Sequence, residues 1–384
     1  MNCYVIIVTR QWQVNLNEYQ KSGTDIVVEK FSNYEIHYLP YRGNLRTSFK
    51  KSFFRKGLTF LEQVFQNKFH NILPFHNIIT YSLQCIPQFK PKIILISGGP
   101  FQLFKIGYLA NKKFQTEWIA DYRDGWTVGN FDKNIKQLPY LLINLINNFA
   151  EKKWLKTSNK FTTVSSDLKN KISKQINKSG IEIYNGYVGV LNEDKMIWPL
   201  KTILNVIYSG EIYKQQDYIG LISVIKKIID NLGSNSIKLT FLGTDESNHK
   251  IDSSRIINYE KNIFITKRLP YKEALRIQQR ADVFMMLNYK GMKGIASSKI
   301  FDYLKSLKPI LLFRNDFDIL EELVVNSGLG IIVNNEIELY NELEKLVKIK
   351  MKGQVIQSTP NLKYIQQFSR ENQAAKLLNY IKNI

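Results

Sequence analysis

SSKIFDYLKSLKPIL, residues 297–311, predicts a loop with two serines, a short helix and then a buried strand. Ser297 or Ser298 can cap the helix, which leaves free backbone N–H groups and the positive end of the helix dipole in the loop. Lys299 adds a mobile positive charge in the first turn, and Asp302 follows three residues later on the same helical face. This combination suits a diphosphate beside a carboxylate that binds ribose hydroxyls. An ordinary capped helix, whose aromatic and Leu side chains only pack, is the alternative.

Strand-like and helical patterns alternate from one end of the chain to the other. Apolar runs rich in Val and Ile, each followed by a helical stretch, are typical of a parallel sheet covered on both faces. The predicted strands are 4–9, 36–39, 93–97, 118–120, 161–164, 206–209, 239–242, 263–266, 283–287, 310–313 and 331–333. Helices are predicted near 50–68, 101–113, 137–157, 166–178, 217–232, 271–280, 298–306, 316–325 and 336–349. The pattern predicts an α/β protein, and the absence of an internal repeat excludes solenoids and propellers.

At 384 residues the chain is too long for one ordinary core. The segment 185–201 contains two glycines and a proline and has no steady period, so it is the predicted connection between two Rossmann-like domains. The predicted parts are an N-terminal domain at 1–190, a linker at 191–201, a C-terminal domain at 202–366, and a helix at 367–384 that packs back toward the N-terminal domain. Ligands of open parallel sheets bind beyond the carboxyl ends of the strands, so two facing domains predict a site in the interdomain cleft.

The formal net charge of +21 implies an anionic partner: nucleic acid, anionic lipid or a phosphorylated small molecule. The clearest basic and aromatic cluster lies at 42–60, with Arg46, Phe49, Lys50, Phe53 and Phe54 at its centre. Such a segment is typical of an interfacial helix on an anionic membrane, and we expect these residues to face that surface. A helix that packs its Phe face on the core, with a solvated basic rim, is the alternative.

Composition also bears on the compartment. No run of 18 or more apolar residues is present, and the first strand lacks the flanking sequences of a signal peptide. The two cysteines, Cys3 and Cys85, lie in apolar settings. This favours buried thiols in a reducing compartment rather than a disulfide. We expect a cytoplasmic protein that is peripheral on the inner face of the plasma membrane.

Four loops directly follow predicted strands and carry residues suited to a binding site. Gly98 and Gly99 permit close approach of the backbone to a ligand. The segment 121–126, DYRDGW, places two carboxylates and a guanidinium at one strand end. Gly210 and Gly243 open the loops after two strands of the second half. A glycine after a strand is usually only a turn, but all four loops fall at the carboxyl ends of predicted sheets, where ligands bind.

Together these segments resemble the retaining glycosyltransferases of the GT-B fold, in particular the bacterial group 1 or family 4-like enzymes of capsule and O-antigen polysaccharide biosynthesis. The similar segments are WIADYRDGW at 118–126, VIYSGEIY at 206–213, RLPYKEALRIQQRADVFMMLN at 268–288, SSKIFDYLKSLKPIL at 297–311 and FSRENQAAKLLNYI at 368–381. The resemblance extends from about residue 93 to the C-terminus. It implies a nucleotide-sugar donor linked to UDP or GDP, no metal or other cofactor, an acceptor-binding N-terminal domain and a donor-binding C-terminal domain.

The donor-site residues of the family carry over where this sequence matches its motif. Asp302 matches the second acid of the family's Glu-x7-Glu pattern, which holds the ribose of the donor. Lys299, with the backbone at Ser297 and Ser298, matches the diphosphate contacts. Gly210 matches the glycine that opens the phosphate-facing loop. Further predicted donor-binding residues are Lys214, Gly243 and Arg268.

Three departures from the family pattern concern the same site. The first acid of the pattern falls at Gly294, so that carboxylate is missing. Glu211 takes the place of the arginine after Gly210, and Lys214 is only an approximate substitute for the family's lysine. The sequence 9–12, Thr-Arg-Gln-Trp, replaces the glycine-rich loop after the first strand. These departures leave open an inactive or donor-divergent relative of the family.

The resemblance implies a metal-independent hexosyltransferase that retains the anomeric configuration and extends a polyprenyl-diphosphate-linked glycan. Lys299, Lys214 and helix N-termini would stabilise the negative charge that develops on the departing diphosphate. We assign catalysis to Asp124 and Arg123, which position the acceptor or the donor sugar, with Asp124 as proton acceptor. The alternative is an Arg–Asp pair that only fixes the loop. The predicted acceptor-side residues are Gly98, Gly99 and Asp121.

The sequence also bears on three other functions: metal binding, sugar epimerisation and nucleic-acid binding. Asp316-Phe317-Asp318 matches a metal-binding Asp-x-Asp motif, but it precedes a helix, so we interpret Asp316 as an N-cap. The four histidines lack metal-ligand spacing, and no metal site is predicted. A nucleotide-sugar epimerase of the same fold is an alternative enzyme, although its carboxylate and histidine set has no evident counterpart. A nucleic-acid-binding protein is the least favoured alternative, because no recognised module is visible, and we expect no nucleic-acid partner.

Overall fold

The computed structural model describes residues 4–11, 25–40, 57, 61–62, 64–66, 68–69, 75–128, 138–189, 191, 202–245 and 249–382. The chain forms two compact units, which divide between Glu182 and Ile183. This division lies upstream of the predicted boundary after residue 190. Tyr187 gives the physical reason: its backbone N–H donates to the carbonyl of Phe368, and its carbonyl accepts from the N–H of Arg370. These bonds attach the segment after β7 to the second unit, while most of the predicted linker lies outside the described residues.

The first unit contains two sheets in the described ranges. Its strands are β1 (Val5–Arg10), β2 (Val27–Lys30), β3 (Tyr34–Leu39), β4 (Ile93–Gly98), β5 (Glu117–Tyr122), β6 (Lys160–Thr163) and β7 (Gly180–Glu182). Its helices are α1 (His76–Phe89), α2 (Phe104–Phe114), α3 (Leu138–Leu155) and α4 (Ser166–Ile176). One sheet has the order β1-β3-β2, and the other, which is parallel throughout, has the order β4-β5-β6-β7.

Large aromatic side chains fill the core of the first unit. Trp118 of β5 and Trp154 of α3 are fully buried, together with Phe104, Tyr122 and Phe161. Burying one such side chain contributes roughly 1.5–3 kcal/mol relative to leaving it exposed. This cluster holds α2 and α3 against the four-stranded sheet and so fixes the loops at its carboxyl edge.

The second unit is built on one six-stranded sheet. Its strands are β8 (Leu204–Ser209), β9 (Ile237–Leu242), β10 (Ile263–Ile265), β11 (Val283–Leu287), β12 (Ile310–Phe313) and β13 (Gly330–Val333). Its helices are α5 (Tyr218–Leu232), α6 (Tyr271–Gln278), α7 (Lys299–Lys305), α8 (Ile319–Asn326), α9 (Glu336–Met351), α10 (Leu362–Gln366) and α11 (Arg370–Lys382). All strands are parallel in the order β10-β9-β8-β11-β12-β13. Numbered from β8, this is the Rossmann order 3-2-1-4-5-6.

The predicted strands of the second half are all present, and the parallel sheet there is confirmed. In the first half, β2 and β7 were not predicted, and β2 departs from the parallel arrangement because it runs antiparallel to β3. The reason is that β2 is a four-residue edge strand whose residues are all exposed, so no alternation of apolar and polar residues marks it. Helix α1 was also missed, since Pro87 in its last turn obscures the helical pattern.

Candidate functional site

The six-stranded sheet has its topological switch point between β8 and β11. The chain leaves β8 toward β9 on one side, and β11 begins the half of the sheet on the other side. In open α/β sheets this arrangement leaves a crevice outside the carboxyl ends of the two central strands. Gly210 follows β8 directly, and the segment after β11 leads through Ser297 and Ser298 into α7. The structure therefore brings two of the predicted donor loops to the edge where such sheets bind ligands.

Lys299 lies against Gly210 at this edge. Gly210 has a φ of 87°, and a Cβ at this position would lie 3.5 Å from Cε and 3.6 Å from Nζ of Lys299. The ammonium of Lys299 donates to the hydroxyl of Tyr208 at 2.6 Å and to the carbonyl of Glu211 at 3.4 Å. It also lies 3.9 Å from the centroid of the Tyr208 ring, within the range of a cation–π contact. A glycine thus lets the loop backbone pass close to a cation.

Burial dominates the electrostatics of Lys299. Desolvation lowers the pKa of Lys299 to about 7, and the charge of Glu211 opposes this shift. The side chain is half-buried and its ammonium is held by Tyr208, so the expected mobile charge is instead a fixed one. A bound anion favours the charged form of a lysine, so a phosphate at this position would raise the pKa of Lys299.

Tyr208 is a further residue of this edge, one that was not predicted from the sequence. Its hydroxyl lies 2.7 Å from the carbonyl oxygen of Glu211 and 2.9 Å from Oε1 of Gln216. Nε2 of Gln216 in turn donates to the carbonyl of Leu287, the last residue of β11, at 2.9 Å. This network ties the loop after β8 to the end of β11. The sequence signal is the hydroxyl-bearing ring of Tyr208 in a strand that is otherwise mostly aliphatic.

Gly243 and Arg268 lie together after β9 and β10, at the same edge of the sheet. Gly243 has a φ of 77°, and a Cβ there would lie 3.8 Å from Cα of Arg268. The N–H of Gly243 donates to Oγ1 of Thr266 at 2.9 Å. The side chains of Arg268 and Lys214 are both exposed. Two further cations therefore belong to the loops at the edge that holds Gly210.

The serines before α7 differ from the prediction in one respect. Ser298 occupies the N-cap position of α7, but its backbone is helical and its side chain makes no capping hydrogen bond. The carbonyl of Ser297 accepts from the N–H of Ile300, so the first turn is closed by backbone bonds. The predicted cap, from Ser297 or Ser298, is therefore not made by Ser298, whose hydroxyl forms no capping hydrogen bond with the start of the helix.

Asp302 lies in a different environment from Lys299. Burial raises the pKa of the Asp302 carboxyl, and the positive charges of Arg370 and Lys305 oppose this shift. Tyr271 at the start of α6 is a further neighbour, since the charge of Asp302 adds to the burial that raises the pKa of Tyr271. Arg370 is the first residue of α11, so the C-terminal helix supplies a cation near Asp302. Arg370 was not predicted from the sequence as part of the site.

Gly294 occupies the position of the missing first acid, and a carboxylate lies beside it. The N–H of Gly294 donates to Oδ2 of Asp318 at 2.5 Å. The ammonium of Lys293 donates to the carbonyls of Asp316 and Phe317. These bonds attach the segment after β12 to the segment after β11. They also place the carboxylate of Asp318 next to Gly294, the position at which the family pattern has its first acid.

Asp316 has the capping role that the sequence analysis assigned to it. Its carboxylate accepts from the N–H groups of Asp318, Leu320 and Glu321 at 3.2, 2.9 and 3.0 Å. Helix α8 begins at Ile319, so Asp316 caps it from outside the N-cap position proper. In the part of the chain that the structure describes, no group of three or more His, Cys, Asp or Glu residues could hold a metal ion.

The predicted catalytic segment of the first unit lies at the end of β5. Nε of Arg123 donates to Oδ2 of Asp121 at 2.8 Å, and Oγ1 of Thr162 donates to the other oxygen at 2.7 Å. Asp121 is buried, so this pair fixes the loop. Asp124 is exposed, and the surrounding protein desolvates its carboxyl enough to raise the pKa. The structure thus separates an engaged acid, Asp121, from one that faces solvent, Asp124.

Gly98 is the last residue of β4 and Gly99 follows it, and the two glycines have different surroundings. A Cβ on Gly98 would lie 2.7 Å from the ring of Phe104 and 2.8 Å from the ring of Phe101, so the aromatic core requires a glycine there. Gly99 has a φ of 125°, and nothing lies within 4 Å of a Cβ built on it. Gly98 is therefore a packing residue, whereas Gly99 borders open space.

The predicted membrane-facing residues are not among those that the structure describes. Arg46, Phe49, Lys50, Phe53 and Phe54 lie outside the described residues, so their role stays a prediction. Among the helices that are described, none is both long and apolar enough to cross a membrane.

Comparison with known proteins identifies the fold. No protein-family model matches the chain, and no curated protein matches it in sequence. Sucrose-phosphate synthase from Thermosynechococcus elongatus is similar in structure, with a TM-score of 0.63, 11% identity, and coverage of 99% of this chain and 88% of that one. An α,α-trehalose-phosphate synthase (UDP-forming) from Burkholderia vietnamiensis gives a TM-score of 0.59 at 8% identity, covering 99% and 100% of the two chains. A trehalose-6-phosphate synthase studied for glycosyl transfer with retention gives 0.61 at 9% identity, covering 99% of both chains.

At these identities the likeness is one of fold. It extends over nearly the whole chain and confirms the predicted GT-B fold, an α/β fold with two Rossmann-like domains.

Proposed function

We propose that the protein is a glycosyltransferase that transfers a hexosyl group from a UDP- or GDP-linked sugar. The observation that carries this proposal is the contact of Lys299 with Gly210 at the switch point of a Rossmann sheet. The fold, which is that of sucrose-phosphate synthase and of a UDP-forming trehalose-phosphate synthase, supports it.

The chemistry of the edge suits a nucleoside diphosphate. Lys299 is partly withdrawn from water, and a charge in such a setting interacts more strongly with a phosphate than an exposed one does. Arg268 and Lys214, on the loops after β10 and β8, add exposed positive charge. When the glycosidic bond to the donor phosphate breaks, negative charge develops on the leaving diphosphate. We assign its stabilisation to Lys299, with the backbone at Ser297 and Ser298 as further contacts.

We assign recognition of the ribose to Asp302, whose ionised carboxylate can accept from both hydroxyls. Arg370 and Lys305 favour that ionised form, although burial opposes it. Gly243 leaves room beside Arg268 for the nucleotide. The second unit is thus proposed as the donor-binding part of the protein.

The first unit is proposed to bind the acceptor. Asp124 is its exposed acid at the end of β5, and we assign to it the proton from the attacking hydroxyl, with Arg123 as a positioning residue. Gly98, Gly99 and Asp121 belong to the same edge of the four-stranded sheet, where Asp121 holds Arg123 in place. Retention at the anomeric carbon follows from attack on the face that the diphosphate leaves, and the proposed mechanism uses no metal.

The acceptor is proposed to be a polyprenyl-diphosphate-linked glycan at the cytoplasmic face of the plasma membrane, in capsule or O-antigen synthesis. The net charge of +21 supports an anionic surface as a partner. The resemblance of segments 118–126, 268–288 and 297–311 to enzymes of surface polysaccharide synthesis supports the pathway class.

Turnover tests the proposal directly. Purified protein is incubated with a panel of UDP- and GDP-sugars and polyprenyl-diphosphate-linked acceptors, and release of the nucleoside diphosphate is followed together with the anomeric configuration of the product. We expect one donor to be consumed with retention, and Lys299→Ala to abolish consumption. Lys348→Ala, which removes an exposed lysine of α9, is the matched control and keeps the native rate. Equal rates in the wild type and Lys299→Ala would contradict the proposed site.

The absence of an acid at Gly294 supports a second candidate, a relative that binds the donor without transferring it. In that case the nucleotide binds and no sugar is consumed. Consumption of the sugar in the turnover assay separates the two candidates. Asp318 then tests the site of the missing acid, because its carboxylate contacts the N–H of Gly294. If transfer occurs, we expect Asp318→Asn to slow it.

A further inference from the structure

Helix α3 carries an apolar stripe that no described residue covers. Leu141, Leu145 and Phe149 recur every four residues and therefore lie on one side of the helix. Leu145 is 65% exposed and Phe149 is 61% exposed. The opposite side of the same helix carries Ala150 and Trp154, which are fully buried in the core. The helix is therefore apolar on both sides, and one of them faces solvent.

A second apolar stripe lies beside the first. Leu61, Phe65 and Phe69 are also spaced four residues apart and are exposed. Nε2 of Gln66 donates to Oδ1 of Asn147 at 2.9 Å, which joins this segment to α3. The two stripes border a shallow groove of about 530 Å³, whose lining also includes Val64, Lys68, Ile146 and Lys153. We refer to the exposed side chains of both stripes, Leu61, Phe65, Phe69, Leu141, Leu145 and Phe149, as the docking face.

In the described residues of 61–69 and 141–156, every charged side chain that is not buried is positive. The cations there are Lys68, Lys152, Lys153 and Lys156. The two acids, Glu62 and Glu151, are buried. Glu151 accepts hydrogen bonds from Tyr122 and Thr127, so its charge is directed into the unit. The result is an apolar surface with a basic rim.

We propose that the docking face binds the surface of an anionic phospholipid bilayer. Exposed Leu and Phe side chains enter the acyl boundary, and the lysines at the rim contact lipid phosphates. A second copy of the chain is a poorer occupant, because a symmetric contact through this face would bring the two basic rims together. The proposal rests on the proposed function for its biological purpose, since a lipid-linked acceptor is presented at such a surface, but its residues and its test are separate.

Vesicle flotation tests the proposal with the full chain. We expect the protein to float with vesicles that contain phosphatidylglycerol, and to bind vesicles of phosphatidylcholine alone much more weakly. Replacing Leu145→Ser and Phe149→Ser together should lower the partition coefficient by about tenfold or more, because each side chain loses apolar area that would enter the lipid. Ile337→Ser, at a position that is 74% exposed on α9 of the second unit, is the matched control and leaves flotation unchanged.

Light scattering and nucleotide thermal shift are measured beside flotation. A wild-type protein that does not float, or a Leu145→Ser/Phe149→Ser variant that floats normally, overturns the proposal. A variant that instead converts a dimer into a monomer in light scattering, with no change in flotation, makes the face a contact between copies and also overturns it. Thermal shift by UDP or GDP reports on the second unit alone, so vesicle binding by Lys299→Ala is expected to persist even when nucleotide binding fails.

Discussion

Lys299 is the residue on which the proposed chemistry depends most, and its burial predicts a pH dependence. The charged ammonium binds a diphosphate, and the pKa of Lys299 is about 7 in the free protein. Because a terminal phosphate is fully ionised above its second pKa of about 6, changes at higher pH report on the protein. As pH rises through 7 the free lysine loses its proton, so affinity for UDP or GDP should fall by about tenfold between neutral pH and about pH 8.5.

Calorimetric titration at several pH values measures this slope. Lys299→Arg is the informative variant, because a guanidinium stays protonated throughout the range. We expect its affinity to be nearly independent of pH above neutrality. A wild-type affinity that is equally flat would show that Lys299 does not bind the diphosphate as a cation.

Asp124 gives a second prediction at the scale of one residue. Asp124→Asn keeps the size of the side chain and removes its ability to accept a proton. We expect turnover to fall by about a hundredfold or more, with unchanged nucleotide binding and thermal stability, because the residue is exposed. Steady-state rates of donor consumption measure the effect, and Glu29→Gln on β2 serves as a control for loss of an exposed acid. A near-native rate for Asp124→Asn would remove the assigned role.

The sequence allowed the main cations and glycines of the candidate site to be named, but not their partners. Gly210 was expected because it directly follows a predicted strand, and Lys299 because it lies in the first turn of a predicted helix that begins after two serines. The contact of Lys299 with Tyr208 could not be anticipated, since the two residues are 91 positions apart and no local spacing links them. The same holds for Arg370 near Asp302, which depends on where the C-terminal helix packs.

At the scale of elements, a substitution in the loop after β8 should affect both protein stability and nucleotide binding, whereas a similar substitution elsewhere should affect stability alone. Gly210 and Gly353 both have a positive φ, and an alanine in this conformation costs about 1–2 kcal/mol. Only at Gly210 does the added Cβ meet another side chain, that of Lys299. We expect Gly210→Ala and Gly353→Ala to lower the melting temperature similarly, and only Gly210→Ala to weaken UDP or GDP binding. Unchanged nucleotide affinity in Gly210→Ala would argue against this loop as the phosphate site.

A buried ion pair joins the residue before β11 to α9 and predicts a large stability effect. Oδ1 of Asp282 lies 3.0 Å from Nζ of Lys350, with side-chain exposures of 1% and 2%, and Oδ2 accepts from the N–H of Asn205. Removing one partner leaves a buried charge, so Asp282→Ala should lower the free energy of unfolding of the second unit by about 3–5 kcal/mol.

Urea denaturation measures this loss. Glu344→Ala removes the partner of an exposed ion pair with Lys348 on the same helix and should cost less than about 1 kcal/mol. If the two variants are destabilised equally, the buried pair does not stabilise the second unit in the way described.

Elements were predictable where burial left a clear pattern. β11 and β12 are buried along their whole length, so each reads as an uninterrupted apolar run between polar loops. β2 has no such pattern, because it lies at a sheet edge with every residue exposed. The cap of α7 failed for a different reason: the sequence offers two serines, but the backbone of Ser298 is already helical.

At the scale of the whole molecule, length and alternation of elements were sufficient to predict two Rossmann-like domains, and the resemblance of particular segments to known glycosyltransferases implied the GT-B fold. The point of division was less accessible, because Tyr187 joins the second unit through backbone bonds to residues near the C-terminus. The docking face was not predicted either. Its stripe on α3 lies opposite the side of the helix that packs into the core. Both sides are apolar, and a sequence alone does not show which of them remains exposed.

The most direct test of the central claim is the thermal shift of the full chain with UDP, GDP and ADP, because a ligand that binds only the folded state raises the melting temperature. We expect UDP or GDP to raise it in the wild type and in Lys348→Ala, and neither to do so in Lys299→Ala. No shift by any nucleoside diphosphate, or an undiminished shift in Lys299→Ala, would contradict the assignment of the switch-point edge as a nucleotide-sugar site.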